Sequence, residues 1–298
     1  MAGIIGARIA FGTDMGFFGP TALSLWSATR STPNLRHIDI LSLNLTSHAM
    51  DVLRRIAGER EVNIQFHLLT DDHFGSAPEK VRHLSKTSLA RLLLPSLVQE
   101  RVIYIDGDTL VKRDLDDLYN IDLKGNLIGG VRDFGVVKRL DLLTHGKTWD
   151  RQAETEQIMA PYPPADYVNA GVLLLDCVSI RGNKCIYSGL SDFNKASNYR
   201  NFDQDHINHL FRGRIKHLNP AWNDSRGRAV LQRTRTERLY GASAETEQER
   251  SGIIHYHGKV KPWRKMGYKD AKRSLHAVAL YRMHKWIFDR QYSNIIFY

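Results

Sequence analysis

Two carboxylates flank a glycine at the end of an apolar run, Val102-Ile103-Tyr104-Ile105-Asp106-Gly107-Asp108-Thr109. A spacing of two on an extended chain points both side chains to one face. Two carboxylates on one face can meet one hard divalent cation. Such a cation can bridge the oxygens of a diphosphate and neutralise charge as a leaving group departs. Asp-Gly-Asp is also ordinary turn chemistry, so the apolar lead-in matters. In open α/β sheets, ligands bind beyond the carboxyl ends of the strands.

A second stretch late in the chain carries complementary chemistry: Ile254-His255-Tyr256-His257-Gly258-Lys259-Val260-Lys261-Pro262-Trp263. A histidine at a strand end can complete a cation site begun by carboxylates, and histidine with oxygen ligands suits Mn²⁺, with Mg²⁺ the lesser candidate. Gly258 lets backbone approach a phosphate closely, and Lys261 supplies a point charge. Taken alone, the stretch also reads as a basic surface loop.

The elements that must position these groups follow from periodicity. Short apolar runs at 4–11, 37–43, 62–69, 102–105, 126–131 and 168–175 read as strands, with a late strand at 253–256. Between them lie helical patterns at 20–30, 47–57 and 87–98, the last with a possible kink at Pro95. Pro20 suits a first helical turn, and Gly58 a C-terminal cap. Residues 168–175 contain a run without alternation, as in a strand covered on both faces. The cadence predicts a mainly parallel, doubly covered sheet. Residues 203–211 read as a helix, 219–250 as loops around a cleft, and 269–290 as a helix with aromatics among cations.

Composition bounds the rest. The chain has 298 residues, 42% hydrophobic and 25% charged, which excludes collagen-like, coiled-coil and disordered classes. No run of eighteen apolar residues appears, and the N-terminus reads as a strand rather than a signal peptide. Two cysteines, Cys177 and Cys185, make no disulfide framework, so a reduced cytoplasm is expected. The Asn-x-Ser/Thr triplets at Asn44 and Asn223 then carry no meaning. Net charge is +10, but residues 259–298 hold ten Lys/Arg and two Asp, leaving the body nearly neutral. That distribution argues against nucleic acid as the partner.

The two chemical stretches together resemble the retaining glycosyltransferases of family 8, the group containing glycogenin, plant galactinol synthase and bacterial lipopolysaccharide glucosyl- and galactosyltransferases. Its pattern is a hydrophobic strand running into Asp-x-Asp, and a late His-x-x-Gly-x-x-Lys-Pro-Trp. Here these are Asp106-Gly-Asp108 and His255-Tyr-His-Gly258-Lys-Val-Lys261-Pro-Trp263. Other segments follow in the family's order: Phe11-Gly12-Thr13-Asp14, Ser88-Leu-Ala-Arg91-Leu, Asn169-Ala170-Gly171 leading to Asp176, and Asp203-Gln204-Asp205. The resemblance runs over about residues 4 to 268.

The resemblance implies a GT-A type α/β fold, with residues 1–268 as catalytic domain and 269–298 as a basic-aromatic helical appendage. It implies transfer of a hexose, galactose or glucose, from a UDP-sugar to a hydroxyl of a glycan or glycolipid, with retention. Asp106, Asp108 and His255 would hold the metal, and His257 would be a neighbour on the opposite face. Gly12, Thr13 and Asp14 would meet the nucleotide. Arg91, Gly107, Gly258 and Lys261 would serve the diphosphate. Asn169, Ala170, Gly171, Asp133, Asp203 and Gln204 would lie about the sugar, the last three as the catalytic set. Two departures stand out: Asp14-Met15-Gly16-Phe17 lacks the family's Asn-Tyr, and 134–165 matches nothing in the pattern.

Two alternatives compete. Asp106-Gly-Asp108-Thr also fits a haloacid dehalogenase-type phosphatase, with Asp106 as nucleophile. Such a motif normally opens its domain, and the late histidine stretch would go unexplained. The other is a non-catalytic protein docking on anionic lipid through 269–298, where cations lie beside Tyr281, Trp286 and Phe288. An enzyme using that tail would sit on the inner face of the cytoplasmic membrane, near a lipid-linked acceptor.

Overall fold

The computed structural model describes residues 5–75, 86–267, 274–293 and 295, and the statements below concern these. Ten strands form two sheets: β1 (Arg8–Asp14), β2 (His37–Leu43), β3 (Asn63–Leu68), β4 (Arg101–Ile105), β5 (Thr109–Val111), β6 (Ile128–Arg132), β7 (Val168–Asp176), β8 (Ile215–His217), β9 (Asp224–Ser225) and β10 (Ile253–His255). Seven helices have eight residues or more: α1 (Phe18–Ser31), α2 (Ser47–Gly58), α3 (Phe134–Leu143), α4 (Gln152–Met159), α5 (Phe202–Phe211), α6 (Ala229–Tyr240) and α7 (Leu275–Gln291).

The large sheet has the order β3-β2-β1-β4-β7-β6-β8. Only β7 runs against the others, pairing antiparallel with both β4 and β6. A three-stranded sheet, β5-β10-β9, stands beside its carboxyl edge. The expected mixed, mainly parallel α/β sheet is therefore present.

Alternation explains the two cores. In β4, Ile103 and Ile105 point into the core shared with α1 and α2, whereas Val102 and Tyr104 point into the other. Both faces are covered, so neither can tolerate a polar side chain without a partner. On α2 the buried residues Ala49, Leu53, Ile56 and Ala57 make one stripe at helical spacing. Its N-cap Thr46 accepts a hydrogen bond from the Ala49 amide at 3.2 Å.

Several expectations are corrected. The first strand begins at Arg8 and runs through Gly12, Thr13 and Asp14 rather than ending before them; Ile4 lies outside the described residues. The single helix over 87–98 is three short pieces, Lys86–Leu89, Ala90–Leu93 and Leu94–Leu97. Residues 219–250 are not all loop, since α6 occupies twelve of them. Its buried side chains include Gln232 and Thr236, so no apolar period betrays it. The unplaced stretch 134–165 contains α3 and α4.

The tail helix begins at Leu275; Lys269, Lys272 and Arg273 lie outside the described residues. One face of α7 buries Ala277, Val278, Tyr281 and Phe288. Tyr281 packs edge-on against Tyr256 with ring centroids 4.9 Å apart, and Phe288 against Trp26 at 5.8 Å. The Tyr256 hydroxyl donates to the Ala277 carbonyl at 2.7 Å.

Candidate active site

β4 delivers Asp106 at the carboxyl edge of the large sheet, opposite the point where β7 enters. The Asp106 amide donates to the Gly171 carbonyl at 2.7 Å, which extends the β4–β7 ladder to the site. Asp108 follows one glycine later and opens β5. β10 pairs with β5 so that His255 lies opposite Thr109. One carboxylate thus comes from each sheet's border and the histidine from the small sheet. His255 Nε2 lies 3.1 Å from Asp108 Oδ1 and 3.6 Å from Asp106 Oδ2. Among the described residues these three form the one cluster able to hold a metal ion, with ligand atoms within 4.8 Å of one another.

The remaining polar atoms of these three side chains are already committed. Asp106 Oδ1 accepts from Arg91 Nη2 at 2.8 Å and from the Tyr104 hydroxyl at 2.9 Å, leaving Oδ2 toward the cluster. Asp108 Oδ2 accepts from Lys261 Nζ at 2.5 Å, leaving Oδ1. His255 Nδ1 meets the Asn223 amide oxygen at 2.9 Å. An amide oxygen can only accept, so Nδ1 carries a proton. Three electron-rich atoms therefore converge, and only a cation, a proton on Nε2 or a metal ion, reconciles them. This donor set fits a hard or borderline divalent ion.

Electrostatics keep the carboxylates ready. Burial alone would raise the Asp108 carboxyl, but the charges of His255 and Lys261 outweigh it and hold the group well below the usual carboxylate range. Asp203 goes the other way. Burial pushes it up to about 6, against the pull of Arg91 and with repulsion from Asp106. Its Oδ2 lies 3.1 Å from Arg91 Nε, so it is an ion-pair partner, not a helix cap. Arg91 also donates to the Ala170 carbonyl at 2.5 Å and the Ser88 carbonyl at 2.9 Å. All three of its nitrogens thus have acceptors.

The cleft over this cluster has a volume of about 390 Å³. Arg91, Asp106, Asp108, Asp133, Asn169, Ala170, Gly171, Asp203, Gln204, His255 and Gly258 from the sequence reading line it. Asn201 and His257 line it too, and neither was expected there. Asp133 caps α3, its Oδ1 accepting from the Gly135 amide at 2.8 Å, while Oδ2 accepts from Asn169 Nδ2 at 3.1 Å. Gly12, Thr13, Asp14, Gly107 and Lys261 lie outside the lining. Asp14 is held by the Phe17 amide at 2.9 Å and the Thr87 hydroxyl at 2.6 Å. Gly258 has φ +91°, a conformation glycine adopts without penalty.

His257 does not face away. Residues two apart on an extended segment share a side, and the two imidazoles stand 5.0 Å apart in the same cleft. His257 Nε2 is engaged with the Ser225 hydroxyl at 2.7 Å rather than with the carboxylates. Replacing His255 by alanine is expected to weaken Mn²⁺ binding at least about tenfold, while His257→Ala leaves it near wild type. Titration of each variant with Mn²⁺ alone decides this, and equal losses would make both histidines ligands.

Gly171 is required by close approach. A Cβ there would stand 2.1 Å from His255 Cε1 and 2.7 Å from Asp106 Oδ2. Gly171→Ala must displace the His255 and Asp106 side chains at once. A misplacement near 1 Å costs roughly 10²-fold in rate, so an alanine variant with wild-type turnover would show that this crowding is relieved without cost.

A mainly parallel sheet, with carboxylates and a histidine gathered at its carboxyl edge, defines the GT-A class of α/β fold. The chain belongs to glycosyl transferase family 8, whose family model matches residues 8–267. It is 24% identical over 266 residues to the lipopolysaccharide 1,2-glucosyltransferase of Escherichia coli (strain K12), covering 87% of this chain and 73% of that one. It is 25% identical over 199 residues to General stress protein A of Bacillus subtilis (strain 168), covering 63% and 64%. The chain thus spans less than two thirds of the length of some curated relatives it matches. In fold it is similar to the galactosyltransferase LgtC solved with donor and acceptor sugar analogues, with a TM-score of 0.73, 24% identity, and coverage of 94% and 95%. The phosphatase alternative is not favoured, because this family match accounts for the histidine stretch that it leaves aside.

Tyr104 and Asn223 escaped the sequence reading. Tyr104 carried no signal beyond an apolar strand. Asn223 was visible only as a glycosylation triplet.

Proposed function

We propose that this protein is a retaining hexosyltransferase that moves galactose or glucose from a UDP-sugar to a hydroxyl of a glycan or glycolipid. The observation that carries the reading is the convergence of Asp106, Asp108 and His255 beneath a polar cleft. These three would hold Mn²⁺, or Mg²⁺ in its place. A divalent ion bound there supplies charge neutralisation for a departing diphosphate. Lys261 and the Gly258 amide add donors on the same side. Arg91, with every nitrogen engaged, serves by holding Asp106 and Asp203 in place. Asp133, Asn169 and Gln204 orient the sugar on the opposite wall, and Gly12, Thr13 and Asp14 meet the nucleotide. Among the described residues no carboxylate stands clear as a nucleophile for double displacement, so attack of the acceptor on the leaving-group side fits better.

Isothermal titration of UDP with and without Mn²⁺, followed by hydrolysis assays on UDP-glucose and UDP-galactose, tests the reading. Metal-dependent UDP binding and turnover of one donor are expected. UDP binding that ignores Mn²⁺ would remove the metal from the proposal.

No helix among the described residues is long and apolar enough to cross a membrane. The outer face of α7 exposes Met283, Trp286 and Ile287, with Arg290 stacked 4.7 Å over the Trp286 ring. Rings beside cations suit an anionic lipid surface. We therefore place the enzyme in the cytoplasm, peripherally on the inner membrane face. Trp286→Ser with Ile287→Ser should leave folding intact, since both side chains are exposed, and should abolish sedimentation with anionic vesicles at low salt. Unchanged sedimentation excludes this face.

A further inference from the structure

Two backbone amides set the polarity of a side-chain relay that crosses the whole site. The Gly171 N–H donates to Asn169 Oδ1 at 3.0 Å, and the Ala170 N–H donates to Gln204 Oε1 at 3.2 Å. Backbone N–H groups are donors without choice, so both side-chain oxygens are identified by their partners. Asn223 meets the same Asn169 oxygen at 2.9 Å and must therefore present its Nδ2. Its oxygen is then turned to His255, where it accepts from Nδ1 at 2.9 Å. From the other end, Asn169 Nδ2 donates to Gln204 Oε1 at 3.1 Å. With two donors on that oxygen, Gln204 offers the cleft only its Nε2, which donates to the Tyr167 hydroxyl at 3.2 Å. The Tyr167 hydroxyl in turn donates to Asp205, which frees its own oxygen to accept.

We infer that Asn223 is a positioning residue that holds His255 in the tautomer with Nε2 free for a metal ion and couples that choice to the orientation of Gln204. The inference rests on the metal and sugar roles proposed above. Asn223 is buried, ends the short helical turn Pro220–Asn223 just before β9, and both ends of its amide are used. No other amide orientation satisfies the two backbone donors. Reversing any member would put two N–H groups, or two oxygens, face to face in a buried network, which is costly when half satisfied. Outer partners of metal-bound histidines commonly fix the ring in this way, and their loss costs about 10- to 100-fold in metal affinity.

Two variants separate the two tasks. Asn223→Ala removes the acceptor for His255 Nδ1, and Mn²⁺ binding, read by electron paramagnetic resonance on protein with Mn²⁺ alone, should weaken about 10-fold or more. Asn223→Asp keeps an acceptor for His255 but cannot donate to Asn169. Mn²⁺ binding should then stay at or above wild type. A carboxylate oxygen then faces Asn169 Oδ1 and pushes the Asn169 amide off its contact with Gln204 Oε1, so kcat for UDP-sugar hydrolysis at saturating Mn²⁺ should fall about 10²-fold with a smaller change in KM. The ¹⁵N–¹H resonances of the Gln204 side-chain amide should move in Asn223→Asp even without metal. Wild-type Mn²⁺ affinity in Asn223→Ala overturns the tautomer role. An unmoved Gln204 resonance with wild-type kcat in Asn223→Asp overturns the coupling. If wild-type protein binds no Mn²⁺ yet the Gln204 resonance moves, the metal reading fails and the relay stands.

Discussion

Asp108→Asn is expected to abolish metal-dependent turnover, by about 10³-fold, while leaving the fold unchanged. Asp108 is held ionised by His255 and Lys261 in spite of its burial. The amide has no charge to offer a hard cation, and it would set a donor or a neutral oxygen against Lys261, now at 2.5 Å. The variant should therefore lose Mn²⁺-dependent UDP binding as well as rate. Thermal stability should fall as well, although the native fold persists, because the amide leaves Lys261 and His255 without their anionic partner. Parallel calorimetry and donor hydrolysis check this. If wild-type protein turns over UDP-sugar at full rate in metal-stripped buffer, the role assigned to Asp108 fails.

A chain ended after Gly267 is expected not to reach a stable native state. Tyr281, Phe288 and Tyr292 are members of the main core together with Trp26, Ile254 and Tyr256. Removing large buried side chains costs about 3 kcal/mol each, so these three alone approach the whole stability of a typical domain, about 5–15 kcal/mol. The damage would also reach the site. Tyr256 follows His255, and its hydroxyl is held by the Ala277 carbonyl. Trp263, at the end of the histidine stretch, packs on Tyr281 with centroids 5.4 Å apart. Near-ultraviolet circular dichroism and calorimetry of the truncated chain provide the measurement. As a milder probe, Phe288→Ala should lower Tm by roughly 10 °C. A truncated chain with native dichroism and an unshifted Tm would show that α7 is an accessory to the fold. Because truncation removes core and outer face together, only exposed substitutions such as those at Trp286 and Ile287 can address the lipid surface.

The sequence by itself determined what depends on short spacing. The unbroken apolar run Val102–Ile105 ahead of Asp106-Gly-Asp108 placed both carboxylates at a strand end, because a strand covered on both faces reads as a short continuous apolar stretch. The βα cadence specified a mainly parallel sheet, and the order of His255, Gly258 and Lys261 singled out His255 over His257 as the proposed ligand in family register. Tertiary structure decided what depends on pairing between distant segments. Asn223 reaches His255 across 32 positions and Asn169 across 54, and no local pattern encodes those contacts. α6 stayed hidden because its buried face includes Gln232 and Thr236, whose polarity gives no helical period. The tail presented cations and aromatics in one helix, but their division into a core face and an outer face waits on where α1 and Tyr256 stand. Composition reports which groups a helix carries, and only packing assigns them to sides.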